Sequence, residues 1–220
     1  MKKLILTIAF LTSFVSAAYS QGSMGLTLNL ASIDTALSDD IDNNGSTDTT
    51  KDISNNVVFG SIFLERVLDN GLTVGLDFIP FEAEFESRST TQVSLKDTST
   101  TTSGTNKGTA DVSKHLTLYV QPTFKELNNG SKLFATVGYV RADVESLVQS
   151  VSSTDKTVDQ TLEGFKLGVG MKRDIGANGF FKLELNRTDY DDISATTSNS
   201  TKVTADIDTT VLGLSVGKSF

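Results

Sequence analysis

Three groups of residues in this 220-residue chain have the types and spacing to do chemistry. The first is Asp40-Ile41-Asp42-Asn43-Asn44-Gly45-Ser46-Thr47-Asp48, which sets oxygen side chains at positions 1, 3, 5 and 9 of a loop with glycine at 6. Asp40, Asp42, Asn44 and Asp48 form the front of a calcium loop, where glycine allows the sharp turn and alternate oxygens converge on the ion. Position 12, where a bidentate Glu belongs, is Lys51, so a solvated acidic turn competes with Ca2+ binding and is favoured over it. The second group is Lys166, Lys172 and Lys182 with Asp77 and Glu184, charges set among small residues at alternate positions of otherwise apolar stretches. The third is the lone His115, two residues before Thr117. No third member of a triad accompanies it, so it reads as a surface histidine. No catalytic residue is expected, and no cofactor other than that possible Ca2+.

The elements that must position these residues are strands. From Gln21 onward the chain alternates with period two in short blocks separated by Gly, Asn, Asp, Ser and Thr. Met24, Leu26, Leu28 and Leu30 oppose Gly25, Thr27 and Asn29; Leu72, Val74, Leu76 and Phe78 oppose Thr73, Gly75 and Asp77. Leu116, Leu118 and Val120 form the next row, then Leu133, Ala135, Val137 and Tyr139. Phe165, Leu167, Val169 and Met171 face away from Gly164, Lys166, Gly168, Gly170 and Lys172. Phe181, Leu183 and Leu185 face away from Lys182, Glu184 and Asn186, and Leu212, Leu214 and Val216 from Gly213, Ser215 and Gly217. Residues 57–66 are apolar on both faces, so either Gly60-Ile62-Leu64 or Phe59-Ser61-Phe63 could point outward.

These blocks make eight strands of roughly the 9 to 11 residues that a tilted strand needs to cross a bilayer. An even number closes a barrel with both ends on one side. The connections alternate as well. Asn70-Gly71, Asn129-Gly130 and Asn178-Gly179 suit tight hairpin turns. The segments 33–56, 86–114, 143–162 and 189–205 are long and polar, poor connections for a compact soluble domain. The expectation is an all-β, eight-stranded antiparallel up-and-down transmembrane β-barrel with short periplasmic turns and long extracellular loops. A soluble sandwich would show the same alternation, but only a closed barrel leaves no unpaired edge, which lipid requires.

Compartment follows from the N-terminus. Met1-Lys2-Lys3 precedes an apolar run from Leu4 to Val15, too short to span a bilayer, and Ala18-Tyr19-Ser20 gives a small-x-small cleavage pattern, with Ser16-Ala17-Ala18 as the alternative. Residues 1–20 are expected to be a cleaved signal peptide and 21–220 the barrel domain. Without Cys, the chain is no disulfide scaffold. The net charge of -8 includes Lys2 and Lys3, so the mature chain carries -8 minus 2, or -10, which repels nucleic acid.

In a barrel of this size the lumen is narrow enough for side chains to fill. Lys166, Lys172, Lys182, Glu184 and Asp77 fall on the inward face, where an ion-pair network closing the lumen is expected over a solute pathway, because unpaired buried charge is costly. Arg141 and Arg187 fall on the outward phase just beyond Tyr139 and Leu185, where they could grip lipopolysaccharide phosphates or snorkel to the interface.

Gly168-Val169-Gly170-Met171-Lys172, its Asn-Gly turn, the Phe181-Lys182-Leu183-Glu184 return and the closing Leu212 to Phe220 together resemble the small outer-membrane β-barrels. That family includes the transmembrane domain of outer-membrane protein A, the opacity proteins and the OmpX-like proteins. The resemblance implies a bacterial outer membrane, contact with its lipid and lipopolysaccharide, and a monomer. It also implies that Leu212, Leu214, Val216 and Phe220 form the C-terminal signal read by the barrel-assembly machinery, with Lys218 departing from the usual apolar pattern. The functions it implies are structural or surface-interaction, and next porin-like or hydrophobic-solute transport. Some family members are lipid A deacylases with a His-x-Ser pair, which makes His115-Leu116-Thr117 a remote third possibility.

Overall fold

A computed structural model of the chain describes residues 22–40, 45–80, 83–93, 103–150, 153–196 and 202–220. The expected signal peptide, Asp42 and Asn44 lie outside the described residues. The strands are β1 (Gly22–Asp40), β2 (Thr49–Val67), β3 (Thr73–Ile79), β4 (Ala83–Val93), β5 (Ser103–Gln121) and β6 (Thr123–Glu126). They continue as β7 (Ser131–Ser150), β8 (Ser153–Ile175), β9 (Gly179–Tyr190), β10 (Ile193–Thr196) and β11 (Lys202–Ser219).

These strands make eight staves, because β4 prolongs β3 beyond Pro80, β6 prolongs β5 beyond Pro122, and β10 prolongs β9. Proline, lacking an N–H, interrupts a ladder where it falls. Neighbours pair antiparallel all the way round, and β1 pairs with both β2 and β11, so the sheet closes on itself. Within the closed part of the sheet each strand is paired on both sides, as lipid demands. No helix among the described residues is long and apolar enough to cross a membrane.

The Asn-Gly turns differ in detail from expectation. Leu68 to Gly71 and Leu127 to Gly130 are equivalent: the glycine N–H donates to the leucine carbonyl at 2.8 and 2.9 Å, and Gly71 and Gly130 take φ of 81° and 76°. This is a turn closed by a left-handed glycine, a three-residue hairpin link. At the third turn Gly176 takes the positive φ, and Gly179 already begins β9. Asn178-Gly179 is therefore not the turn's left-handed element. Ile175-Gly176 bends the chain first.

The expected long loops are corrected more substantially: the ladders continue far into them. β1 and β2 stay paired to Asp39↔Thr49, β4 and β5 to Val93↔Ser103, β7 and β8 to Ser150↔Ser153, and β10 and β11 to Thr196↔Lys202. A 19-residue strand such as β1, tilted in a barrel, rises about 45 Å, against the ~30 Å of a hydrocarbon core. The polar segments are strands standing outside the bilayer, their polarity set by water and their extension by Thr, Val and Ile.

Above the membrane band the cylinder divides. β2 pairs with β3 only up to Ile62↔Phe78, and β8 with β9 only up to Gly164↔Tyr190. Beyond those levels one sheet runs β2-β1-β11-β10 and the other β4-β5-β7-β8.

Candidate functional site

The facing of residues 57–66 decides the lumen. Ser61, Phe63 and Glu65 are buried inward, while Val58 and Ile62 are exposed to the lipid side. That facing delivers a carboxylate, Glu65, which the sequence reading left unassigned.

Glu65 is the centre of the lower lumen. Lys182 Nζ forms a direct ion pair with its Oε1, Lys172 Nζ stands 4.0 Å from Oε2, Tyr119 donates its hydroxyl at 2.8 Å and Ser23 at 3.5 Å. Lys172 and Lys182 are direct cross-strand partners. Like charges so placed repel, and Glu65 reaching across the lumen compensates both. A third lysine–carboxylate contact on the inward phase, Lys132–Asp174 at 3.4 Å, lies below this cluster at the more exposed lower mouth. The other expected members are held differently. Asp77 accepts from Ser61 at 2.8 Å, and Ser61 accepts from Asn29 at 3.2 Å. Glu184 accepts from Thr136 and, at 3.3 Å, from Gln121. Lys166 donates to Thr117 at 3.4 Å.

Four rings fill the space between these charges: Phe63, Tyr119, Phe134 and Phe180 are all buried. Each ring sits directly across the ladder from a glycine: Phe63↔Gly25, Tyr119↔Gly75, Phe134↔Gly170 and Phe180↔Gly217. A Cβ on any of those glycines would enter the ring, so the missing side chain is what lets an aromatic lie flat across its neighbouring strand. Gly25 and Gly217 also pair with each other where the first and last strands meet. Phe63 and Phe180 therefore close over that seam from both sides, with centroids 6.0 Å apart. The lysines cap the rings, Lys172 lying 3.8 Å from the Phe180 centroid and Lys182 4.3 Å from that of Phe63. Above them a cavity of about 40 Å³ remains, lined by Asp77, Lys166, Lys182, Glu184 and Asn186 among others, room for a few waters and no more.

Outside, Leu212, Leu214, Val216 and Phe220 are exposed on one row, as their phase requires. Tyr139 and Phe165 meet edge-on at 6.0 Å at the top of the apolar band, an interfacial aromatic pair. Arg141 and Arg187 stand just above on the outward face, each against a carboxylate of the adjacent stave: Arg141–Glu163 at 3.7 Å and Arg187–Asp208 at 2.6 Å. Lys114 pairs with Asp143 at 3.1 Å and holds that carboxyl below its ordinary range, chiefly through the hydrogen bond it donates. Partial burial, then a hydrogen bond with Asp189, pushes Asp208 the other way. In the first hairpin Asp40 accepts the Gly45 N–H at 2.8 Å, with Gly45 at φ 89°. The described residues bring no three metal-ligating acids together. His115 bonds the Tyr190 hydroxyl at 3.1 Å, inside the barrel and not on the surface.

A family model described as the outer membrane protein beta-barrel domain matches residues 4–220. Among curated proteins nothing matches the sequence. Among solved structures, the outer membrane protein OprG of Pseudomonas aeruginosa is similar with a TM-score of 0.54 and 16% identity, over 90% of this chain and 96% of that one. The outer membrane protease OmpT of Escherichia coli gives a TM-score of 0.50 at 10% identity, over 93% and 99%. Ail of Yersinia pestis gives 0.41 at 12%, over 90% and 99%. At these identities the likeness to OprG and OmpT is one of fold.

Proposed function

The chain belongs to the outer-membrane protein β-barrel domain family, and from that premise we propose that it is a non-enzymatic barrel with a closed lumen. Its work is then done by the protruding sheets, in envelope integrity or in contact with the surroundings. The observation that carries this reading is how the lumen is filled: four buried rings and the Lys172–Glu65–Lys182 cluster lie below a cavity of about 40 Å³, and a dry passage for ions would first need those charges parted. Planar-bilayer recording is the test, with no steady large conductance expected. A large, steady open level at low voltage would overturn it.

A second reading, passage of small or hydrophobic solutes, has one observation in its favour. The β5–β7 ladder loses register between Ser113 and Leu116, where Lys114 takes φ 52°, and the β3–β4 stave breaks at Pro80 beside it. A solute could leave sideways through such a weakened wall. Liposome swelling no faster than in barrel-free vesicles removes this reading.

Membership of the family places the protein in a bacterial outer membrane, and the remaining assignments extend that. We take residues 1–20 as a cleaved signal peptide and Leu212, Leu214, Val216 and Phe220 as the assembly signal. The barrel is taken as a monomer, and Arg141 and Arg187 as lipopolysaccharide contacts whose outer N–H groups remain available beside Glu163 and Asp208. Ca2+ in the first hairpin is the weakest of these. The Asp40–Gly45 hydrogen bond suits an acidic turn that needs no ion, and flat calorimetric traces for the protein and for D40N would remove calcium. Nothing in the pairing of His115 with Tyr190 supports lipid A chemistry.

A further inference from the structure

The split above the membrane band leaves four sheet edges, on β2, β4, β8 and β10. An open edge is a template for another strand, and proteins blunt it with shortness, charge, bulges or a covering element. Three of the four are blunted. β10 has four residues. β4 is broken by a register shift between Phe85 and Arg88. β8 carries Asp155, Lys156, Asp159 and Glu163, and it is tied to β10 by Gln160 donating to the Ser194 carbonyl at 3.2 Å. The β8–β10 seam is further filled by an apolar cluster of Ala142 and Leu162 with Tyr190, Ile193 and Ile207.

Among the described residues the edge of β2 shows no bulge, no proline and no covering contact, and its charges, Lys51 and Asp52, are confined to its tip. Residues 49–61 pair with β1 alone, in unbroken register from Gly22↔Arg66 to Asp39↔Thr49. Residues 53–61 read Ile-Ser-Asn-Asn-Val-Val-Phe-Gly-Ser, with no charge and no proline. We propose that this edge docks an extended basic peptide segment of a partner, which joins the outer sheet as an added antiparallel strand. This rests on the surface-interaction reading above and names the surface.

The chemistry of the occupant follows from the outward row it would lie beside. Asp52, Ser54, Asn56 and Val58 share that row, and Asp52 belongs to a recess of about 220 Å³ with Asp34, Asp206 and Asp208. A strand running antiparallel to β2 meets Val58 first and Asp52 six positions later. It should therefore present an apolar residue and, six residues on, Lys or Arg, for cross-strand complementarity. A second copy of this chain fits poorly. Barrels in one bilayer point the same way, so two β2 edges would meet parallel, each presenting acidic charge to the other.

The test uses full-length folded barrel in lipid nanodiscs and the blocked peptide Thr-Val-Thr-Thr-Thr-Thr-Thr-Lys-Thr, with a second version N-methylated at alternate residues. The first should slow hydrogen exchange of residues 53–61, and the methylated one should not. Asp52→Lys should weaken binding about tenfold. The chain has no cysteine, so Ser54→Cys or Asn56→Cys should form a disulfide with a peptide cysteine placed opposite, and the inward Asn55→Cys should not. Equal protection by the methylated peptide, protection of β4 or β8 instead, or no protection at all would overturn the proposal. Failure here with a non-conducting lumen removes the docking edge alone, whereas open conductance removes the reading beneath it.

Discussion

The membrane-spanning ring and the sheets above it are continuous strands, yet their two faces exchange roles. In the ring, Leu26, Leu28, Leu167, Val169, Leu214 and Val216 face out while Lys182, Glu65, Thr117 and Asn186 are buried inside. Higher on the same strands, Ala142 and Leu162 are buried inside against Ile193 and Ile207, and Asp34, Asp189 and Asp206 face outward. The solvent against the outer wall sets the sense of each. Lipid forces polar groups inward, whereas water permits an apolar interior of the kind two packed sheets share. The level of inversion, near Tyr139, Phe165 and Leu212, is therefore where the outer leaflet ends.

The largest effect expected from breaking this comparison is at Glu65. Glu65→Gln strips the partner from a lysine that is 3% exposed and should cost about 3–5 kcal/mol, the usual penalty for an orphaned buried charge. Urea unfolding in lipid vesicles reads it. A change below about 1 kcal/mol would mean that water reaches the cluster and the lumen is wetter than its packing implies.

Next, Leu214→Lys and Thr210→Lys place the same charge on one outward row of β11 on opposite sides of the inversion. The first should cost about 2–4 kcal/mol and the second close to nothing. Similar costs at both positions would put the bilayer boundary elsewhere. Gly217→Ala, in turn, adds a Cβ inside the Phe180 ring and should cost about 1–3 kcal/mol by overpacking. Phe180→Leu in the same chain should recover part of it, since the ring supplies the nearest atoms to that Cβ. Failure of the pair to couple would detach the aromatic from the seam.

How far these features were legible in the sequence depends on how one-sided each strand is. Leu212-Gly213-Leu214-Ser215-Val216 announces its facing because every second residue is small or polar. Residues 57–66 do not, because Val57, Phe59 and Phe63 rival Val58, Ile62 and Leu64, and Glu65 was hidden by that tie. Charge could have broken it: Lys166, Lys172 and Lys182 against Asp77 and Glu184 leave one carboxylate wanting, and an inward Glu65 supplies it. Of the lumen rings, Tyr119 was legible as the face opposite Leu118 and Val120, whereas Phe134 and Phe180 were missed because they adjoin apolar neighbours of the opposite phase, and their place depends on glycines of other staves, which pairing alone brings near. The strand extensions were missed because Ser and Thr serve loops and solvated strands alike. The inversion itself is written in Val140, Ala142 and Val144 alternating with Arg141, Asp143 and Glu145, a change of phase that marks a boundary more than a loop.

The smallest effect concerns the acids of the outer region, and its sign separates two of them. Lys114 lowers the Asp143 carboxyl, so that contact stabilises above the unfolded value of about 4 and is lost as pH falls through the lowered folded value. Asp208 is raised by burial and by Asp189, so the folded state holds its proton more tightly than the unfolded one does. Its strain is present above the raised value and relieved as pH falls through it. Asp143→Asn should therefore leave an outer region that resists exchange better as pH falls from 5 to about 3, and Asp208→Asn one that resists it worse. Both groups are exposed enough that each effect should stay below about 1 kcal/mol, and salt should shrink it further. Hydrogen exchange, corrected for the intrinsic pH dependence, reads the first variant at residues 203–211 around Asp208 and the second at residues 140–143 around Asp143. Parallel trends in the variants would show that the acidic face responds to net charge and not to these particular partners.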